Sequence, residues 1–250
     1  MALHPLSERF ASVAAEYERG RPECPPEVVR AIAEALELAP GAAVLDLGAG
    51  TGKLTGTLLE LGYDVTAVEP QHELREILAR KVGEERAHEG VAEALPLPDG
   101  AFAAVLAADA FHWFDYPRAL AEIRRVLRPH GALAVIATAP DWSGASWAHE
   151  VGTLMVEQRT AAHPIVDEPS WKEVAAAAGC WSEPRELSAT VTRPAAPERF
   201  CDYLASVSWI AALPGAERER LLERVGAIVA AGRTPAEMGL HVTSVLVTLL

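Results

Sequence analysis

The sequence predicts an α/β fold, a mostly parallel sheet with helices on both faces, and three observations lead there. Short apolar segments alternate with amphipathic helical patterns at Pro26 to Leu38, Leu54 to Leu61 and His72 to Val82, the order that builds a parallel sheet with its faces covered. The stretch Val44-Leu45-Asp46-Leu47-Gly48-Ala49-Gly50-Thr51-Gly52 runs from an apolar strand into a glycine turn, and Tyr63 to Val68 forms a second strand ending in Glu69. Strand, glycine turn, helix and acid-tipped strand describe a nucleotide-binding βαβ unit. With 250 residues, 50% of them hydrophobic, the chain is long enough to bury one full core as a single domain.

Each part of the first βαβ unit has a physical task. Gly48 lets the chain leave the strand in a tight turn, and Gly50 places no side chain between the backbone and a ligand. Main-chain N–H groups from Gly48, Ala49, Gly50 and Thr51 can then approach a bound molecule. Glu69, followed by Pro70, stands about 20 residues after Gly48, the spacing that brings an acid to ribose hydroxyls. Its carboxylate can accept from both the 2′-OH and the 3′-OH. The dinucleotide fingerprint needs Gly or Ala at its sixth position, where this chain has Lys53.

The pattern Leu45-Asp46-Leu47-Gly48-Ala49-Gly50-Thr51-Gly52 resembles instead the first motif of class I S-adenosylmethionine-dependent methyltransferases, whose cofactor has an adenosine but no phosphate. The resemblance extends to Gly90 through Phe102, similar to the loop where relatives hold adenine, and implies a backbone contact at Ala92 with Glu93 as the nearby acid. The run Ala103 to Phe114 resembles the fourth strand and the Ala-Phe-His-Trp motif of the small-molecule, type 11-like branch. Ala121 to Leu133 is similar to the next helix, turn and fifth strand, with Pro129-His130-Gly131 in place of Pro-Gly-Gly. Tyr17 through Pro25 resembles an amino-terminal cover in which Tyr17 and Arg21 close over the cofactor, with Cys24 where relatives carry Tyr. Ser206 to Pro214 and Leu240 to Leu249 are similar as well, so only about 142 to 187 falls outside. The family implies a Rossmann-like sheet of seven strands with an antiparallel last strand. It divides the single domain into cover helices (1–40), a cofactor-binding core (41–141), a helical lid inserted after strand five (142–187), and carboxyl-terminal strands and helices (188–250).

Charge and composition exclude other classes. A net charge of −13 argues against nucleic acid, whose phosphates are bound by Lys and Arg. Arg118, Arg124, Arg125 and Arg128 cluster, but at helical spacing beside Glu122 they predict a solvated helix face. Three scattered cysteines without Cys-x-x-Cys spacing argue against a disulfide framework or zinc, and eight histidines form no ligand pattern. No apolar run is long enough to span a bilayer, and the amino terminus lacks a signal-peptide pattern, so the cytoplasm is the default location and no membrane partner is expected.

Methyl transfer needs the methyl held still, an aligned nucleophile about 3 Å away, and a base where the acceptor carries a proton. His112, after strand four on the ligand side, is the candidate base; the alternative is that it shapes the pocket wall. Trp113 is placed in the pocket and Phe111 in the core. Asp46 fixes the loop or receives the ligand's ammonium, and Asp109 faces the methionyl end or caps a helix. Trp142, Trp147, Trp171 and Trp181, with His149 and His163, mark the segment after strand five as an acceptor lid for an apolar or aromatic molecule, or as a small core of its own. Trp142, Trp147 and His149 are the acceptor candidates. The implied function is S-adenosylmethionine-dependent methylation of a small molecule, oxygen being favoured as acceptor atom. The alternatives are cofactor binding without methyl transfer, by a cyclising enzyme or a noncatalytic partner, and a nicotinamide oxidoreductase, against which Lys53 counts.

Overall fold

The computed structural model describes residues 7–143, 146–158, 171–194, 197–231 and 237–250. Seven strands, β1 (Ala43–Leu47), β2 (Asp64–Val68), β3 (Ala87–His88), β4 (Phe102–Ala108), β5 (Leu127–Pro140), β6 (Arg185–Pro194) and β7 (Glu237–Thr248), form one sheet in the order β3-β2-β1-β4-β5-β7-β6. β1 pairs in parallel with β2 and β4, β2 with β3, and β4 with β5. Of the remaining two strands, β7 alone reverses. Leu249 N–H donates to the Gly131 carbonyl at one end and Asp141 N–H to the Gly239 carbonyl at the other, so β7 runs against β5. Ser182 N–H to Thr248 and Leu250 N–H to Cys180 set β6 antiparallel to β7. The Rossmann-like, mostly parallel sheet with an antiparallel last strand is therefore the fold observed. Its strand order reverses between β1 and β4, which opens the crevice at their carboxyl ends where such sheets bind ligands.

Local chemistry accounts for these elements. β4 is buried along almost its whole length, as a strand covered on both faces must be, and reads as an unbroken apolar run rather than an alternation. The helix α2 (Pro26–Ala35) begins with a proline whose fixed φ suits the first turn. The helices α3 (Lys53–Glu60) and α4 (His72–Val82) follow β1 and β2. In α5 (Tyr116–Val126), Asp115 accepts from the Arg118 N–H as the cap, and Ala119, Leu120, Ile123 and Val126 make the buried stripe. Pro129-His130-Gly131 lies inside β5 as a bulge, since Phe102 pairs with Leu127 but Ala104 with Ala132, and His130 takes a φ of 61°. Helices α6 (Ser146–Gln158) and α7 (Trp171–Ala178) occupy the chain between β5 and β6.

The chain divides into two compact units. One comprises Glu23–Thr138, Asp167–Ala189 and Val242–Leu250. Its core joins Leu45, Leu47, Val105, Phe111, Ile123, Leu133 and Trp181, with Trp171 packed against it. The second comprises Met1–Pro22, Ala139–Val166 and Thr190–His241. It contains α1 (Ala14–Gly20), α6, α8 (Pro197–Ala205), α9 (Ser208–Ala211) and α10 (Gly215–Ala231), around Trp147, Val151, Phe200, Leu204, Ile210 and Val225. No helix among the described residues is long and apolar enough to cross a membrane.

Within the second unit, α1 and α8 cross at backbone contact. A Cβ on Gly20 would stand 2.1 Å from the Tyr203 nitrogen and 2.4 Å from the Asp202 carbonyl carbon, and neither atom can rotate away. Arg19 fixes the same crossing through paired bonds to Asp202 of 2.8 and 2.9 Å. Gly20→Ala is expected to destabilise the protein by about 1–3 kcal/mol through overpacking, read as a lower urea midpoint, whereas Gly215→Ala, with nothing near its added Cβ, should leave the midpoint in place.

Candidate functional site

β1 delivers the chain at Leu47 into the turn Gly48 to Gly52, and the turn is bonded to the end of β2. The Val68 carbonyl accepts from both Gly48 N–H (2.9 Å) and Ala49 N–H (3.0 Å). Gly48 has a φ of 73° and its Cβ would fall 2.6 Å from the Ala110 Cβ, so both backbone conformation and space demand glycine. Phe114 faces the same spot, its Cζ 3.5 Å from that position. Gly52, with a φ of 86°, turns the chain into α3.

Glu69 is 4% exposed at the tip of β2. Its Oε2 accepts from the Gly50 N–H and its Oε1 from the Gln71 N–H, both at 2.8 Å. Arg75 donates to the carbonyls of Glu69 and Pro70 and reaches Glu89 with its other nitrogen. Burial pushes the Glu69 carboxyl up to about 7; the two N–H bonds and Arg75 pull it down, and Asp46 pushes it up. Asp46, on β1 between Ala67 and Leu106, is likewise raised to about 7 by burial, against the pull of Thr55, whose Oγ1 donates to Asp46 Oδ2 at 2.6 Å. Thr51 is fully buried and its Oγ1 has no hydrogen-bond partner among the described residues.

Two further segments complete this face of the unit. Ala92 is buried and Glu93 half-buried after β3, with Glu93 Oε1 accepting the Asp115 N–H at 2.8 Å. After β4, Asp109 takes a φ of 51° and its Oδ1 accepts the Thr138 N–H at 2.7 Å, so it joins the ends of β4 and β5. The adjoining helical turn Phe111–Trp113 has Ala110 at its amino-terminal cap position and no side-chain cap. In this turn Phe111 is buried against Phe114, Tyr116 and Trp171. His112 and Trp113 are half-buried beside one another, ring centroids 4.4 Å apart.

The other sequence candidates have contacts of their own. Tyr17 and Arg21 lie in the second unit, where the Arg21 guanidinium stands over the rings of Tyr17 (5.3 Å) and Tyr203 (4.8 Å) and its Nε donates to Ser206. Trp142 and Trp147 pack edge-on against Phe200 and Trp171 and Trp181 join the other core, so packing accounts for all four. His149 is exposed on α6, and His163 lies outside the described residues. Lys53 is paired with Glu23 at 2.8 Å. The solvated helix face expected of the arginines holds for Arg118 and Arg124, which are exposed on α5; Arg128 is exposed on β5 instead, and Arg125 turns to Glu122 and to the carbonyls of Leu95 and Leu97. Phe114, Gln71 and Arg75 were not singled out by the sequence. Arg75, one turn into α4, could have been found from its distance to Glu69; Phe114 has no comparable signal.

A glycine turn bonded to an acid-tipped second strand, in a sheet of order 3-2-1-4-5-7-6, defines an α/β protein of the methyltransferase class. The comparisons agree. Residues 45–135 match the family model described as a methyltransferase domain. The chain is 36% identical over 227 residues to the uncharacterized methyltransferase Rv3342 of Mycobacterium tuberculosis, covering 90% of this chain and 87% of that one. It is 43% identical over 123 residues to the demethylmenaquinone methyltransferase of Thermus thermophilus, covering 46% of this chain and 56% of that one. A solved structure from Anabaena variabilis, assigned as a methyltransferase of an antibiotic biosynthesis pathway, superposes with a TM-score of 0.60 at 22% identity, covering 90% and 97% of the two chains. The chain belongs to the class I S-adenosylmethionine-dependent methyltransferase family and is an enzyme of methyl transfer, which sets the nicotinamide reading aside.

The two buried acids give the folded state a pH dependence. In the unfolded chain both return to the ordinary carboxylate range near 4. Between there and about 7 the folded state keeps protons that the unfolded chain has released, so stability is lost as pH rises through that window. The urea midpoint is expected to be lower at pH 8 than at pH 5, and Glu69→Gln, which removes one titration, should make the decline shallower.

Proposed function

We propose that the chain transfers the methyl group of S-adenosylmethionine to a small-molecule acceptor, with oxygen as the acceptor atom. The observation that carries this is Glu69: a buried carboxylate at the tip of β2, both oxygens oriented by backbone N–H groups, beside a turn with no room for a side chain at Gly48. Each oxygen keeps a second lone pair for a ribose hydroxyl. The residues fit an adenosyl ligand better than a phosphate one, because the acid repels a 2′-phosphate and Lys53 is committed to Glu23.

S-adenosylmethionine supplies, when bound, a methyl group on positively charged sulfur. Glu69 would hold the ribose, the backbone from Gly48 to Thr51 would line its path, and Ala92 and Glu93 would meet the adenine. Asp46 would draw the ammonium, with Pro70, Asp109, Ala110 and Trp113 as walls. His112 would accept the proton of an acceptor hydroxyl on a ring nitrogen, which is what favours oxygen. The small-molecule assignment is supported by the net charge of −13 and by a relative named for demethylmenaquinone.

Calorimetric titration with S-adenosylmethionine, S-adenosylhomocysteine and NAD tests the cofactor. Binding of the two adenosyl sulfur ligands alone is the expected result, and binding of neither would overturn the reading. Glu69→Ala should weaken S-adenosylhomocysteine binding by about 1.5–3 kcal/mol, the worth of a charged hydrogen-bonded pair. In a methyl-transfer assay over hydroxylated acceptors, His112→Gln should lower kcat and leave cofactor affinity in place; equal loss in both would return His112 to the pocket wall.

A further inference from the structure

Between Val91 and Gly100 the chain carries the adenine side of the proposed site, yet it cannot hold itself in place by ordinary strand pairing. Its sequence Leu95-Pro96-Leu97-Pro98 has prolines at alternate positions, which supply no N–H and keep the residues before them extended. The carbonyls of Leu95 and Leu97 must then find donors elsewhere. Arg125, near the end of α5, provides them. Its Nη2 donates to Leu95 (3.0 Å) and its Nη1 to Leu97 (2.8 Å) and to Asp99 Oδ1 (2.6 Å). Its Nε and Nη2 also donate to the two oxygens of Glu122, at 2.9 and 2.8 Å. These bonds use all five N–H groups of the guanidinium. Glu122 Oε2 in turn accepts the Leu95 N–H at 2.8 Å, so the pair grips Leu95 at both its donor and its acceptor.

Two residues before Leu95, Glu93 Oε1 accepts the N–H of Asp115, the cap of α5. The loop is thus fastened to one helix at its first residue and near its last, and that helix is fixed by the fully buried Ile123 and Val126. Arg125 is 30% exposed and Glu122 21%, enough burial for a bidentate pair with additional bonds to hold geometry rather than fray in water.

We propose that Glu122 and Arg125 are positioning residues for the adenine end of the cofactor site. They act through the Leu95–Asp99 segment to set where the Ala92 N–H and the Glu93 carboxylate meet the base. The inference rests on the methyltransferase reading above and deepens it. Adenine accepts at N1 and donates from its amino group, matching a backbone N–H and a carboxylate. Hypoxanthine reverses both roles, so a well-placed pair should reject it, and a pair displaced by an ångström should lose that selectivity.

The test measures binding of S-adenosylhomocysteine and its deaminated analogue S-inosylhomocysteine to the wild type, Arg125→Lys and Glu122→Gln, together with hydrogen exchange at the Leu95 amide without ligand. The wild type should prefer the adenine ligand by about tenfold or more. Both variants should bring that ratio several-fold closer to one, through loss of adenine affinity, and should speed exchange at Leu95. If neither ligand binds the wild type, the cofactor reading falls and this inference with it. A wild type that binds without discriminating, an unchanged ratio in the variants, or equal loss for both ligands overturns the inference alone. Unchanged exchange at Leu95 does so too.

Discussion

A buried carboxylate that accepts two backbone hydrogen bonds organises this protein's site. Glu69 reaches back from the end of β2 to the Gly50 N–H and forward to the Gln71 N–H, so the turn after β1 and the turn after β2 share one anchor. Burying an ionised carboxyl costs several kcal/mol, and two N–H bonds with Arg75 offset part of that cost, which is why the group rests near neutrality instead of far to either side. Both oxygens act as acceptors, and each keeps a second lone pair. A ligand that brings two hydroxyl donors therefore meets an acceptor already aimed, with little reorganisation left for binding to drive.

The parts of the site governed by local rules were legible in the sequence. Strand, glycine turn and helix between Ala43 and Glu60 follow from side-chain burial and positive φ, and the place of Glu69 follows from the length of one helix and one strand. The ends of α4 matched the hydrophobic period residue for residue. α2 stopped at Ala35 rather than Leu38, with Glu37 in a left-handed conformation, a choice made by the turn and not by the pattern. The antiparallel β7 was legible only through the family resemblance, because an apolar run carries no sign of its direction.

What escaped the sequence depends on contacts between distant residues. Arg125, like Arg124, lies off the buried stripe of α5, and the helical period alone makes both solvent-facing. Its different fate is decided some thirty positions earlier, where two prolines leave carbonyls without partners. The tryptophans show a related limit: their number in one segment fits an acceptor lid or a small core equally, and only the structure shows Trp142 and Trp147 against Phe200 and Trp171 and Trp181 in the core of β1 and β4. Composition counts side chains without saying which way each one turns.

Asp46 and Glu69 also constrain each other. They stand on adjacent strands at opposite ends of the same turn, one bonded to Thr55 on α3 and the other to Gly50, and the charge on Asp46 makes ionisation of Glu69 harder. The site accepts a first negative charge more readily than a second. A ligand carrying positive charge removes that penalty by stabilising both ionised forms, and one that has lost a positive charge restores part of it. In the proposed reading, the ammonium that Asp46 would draw is a positive charge of that kind, placed where it would ease the repulsion between the two acids.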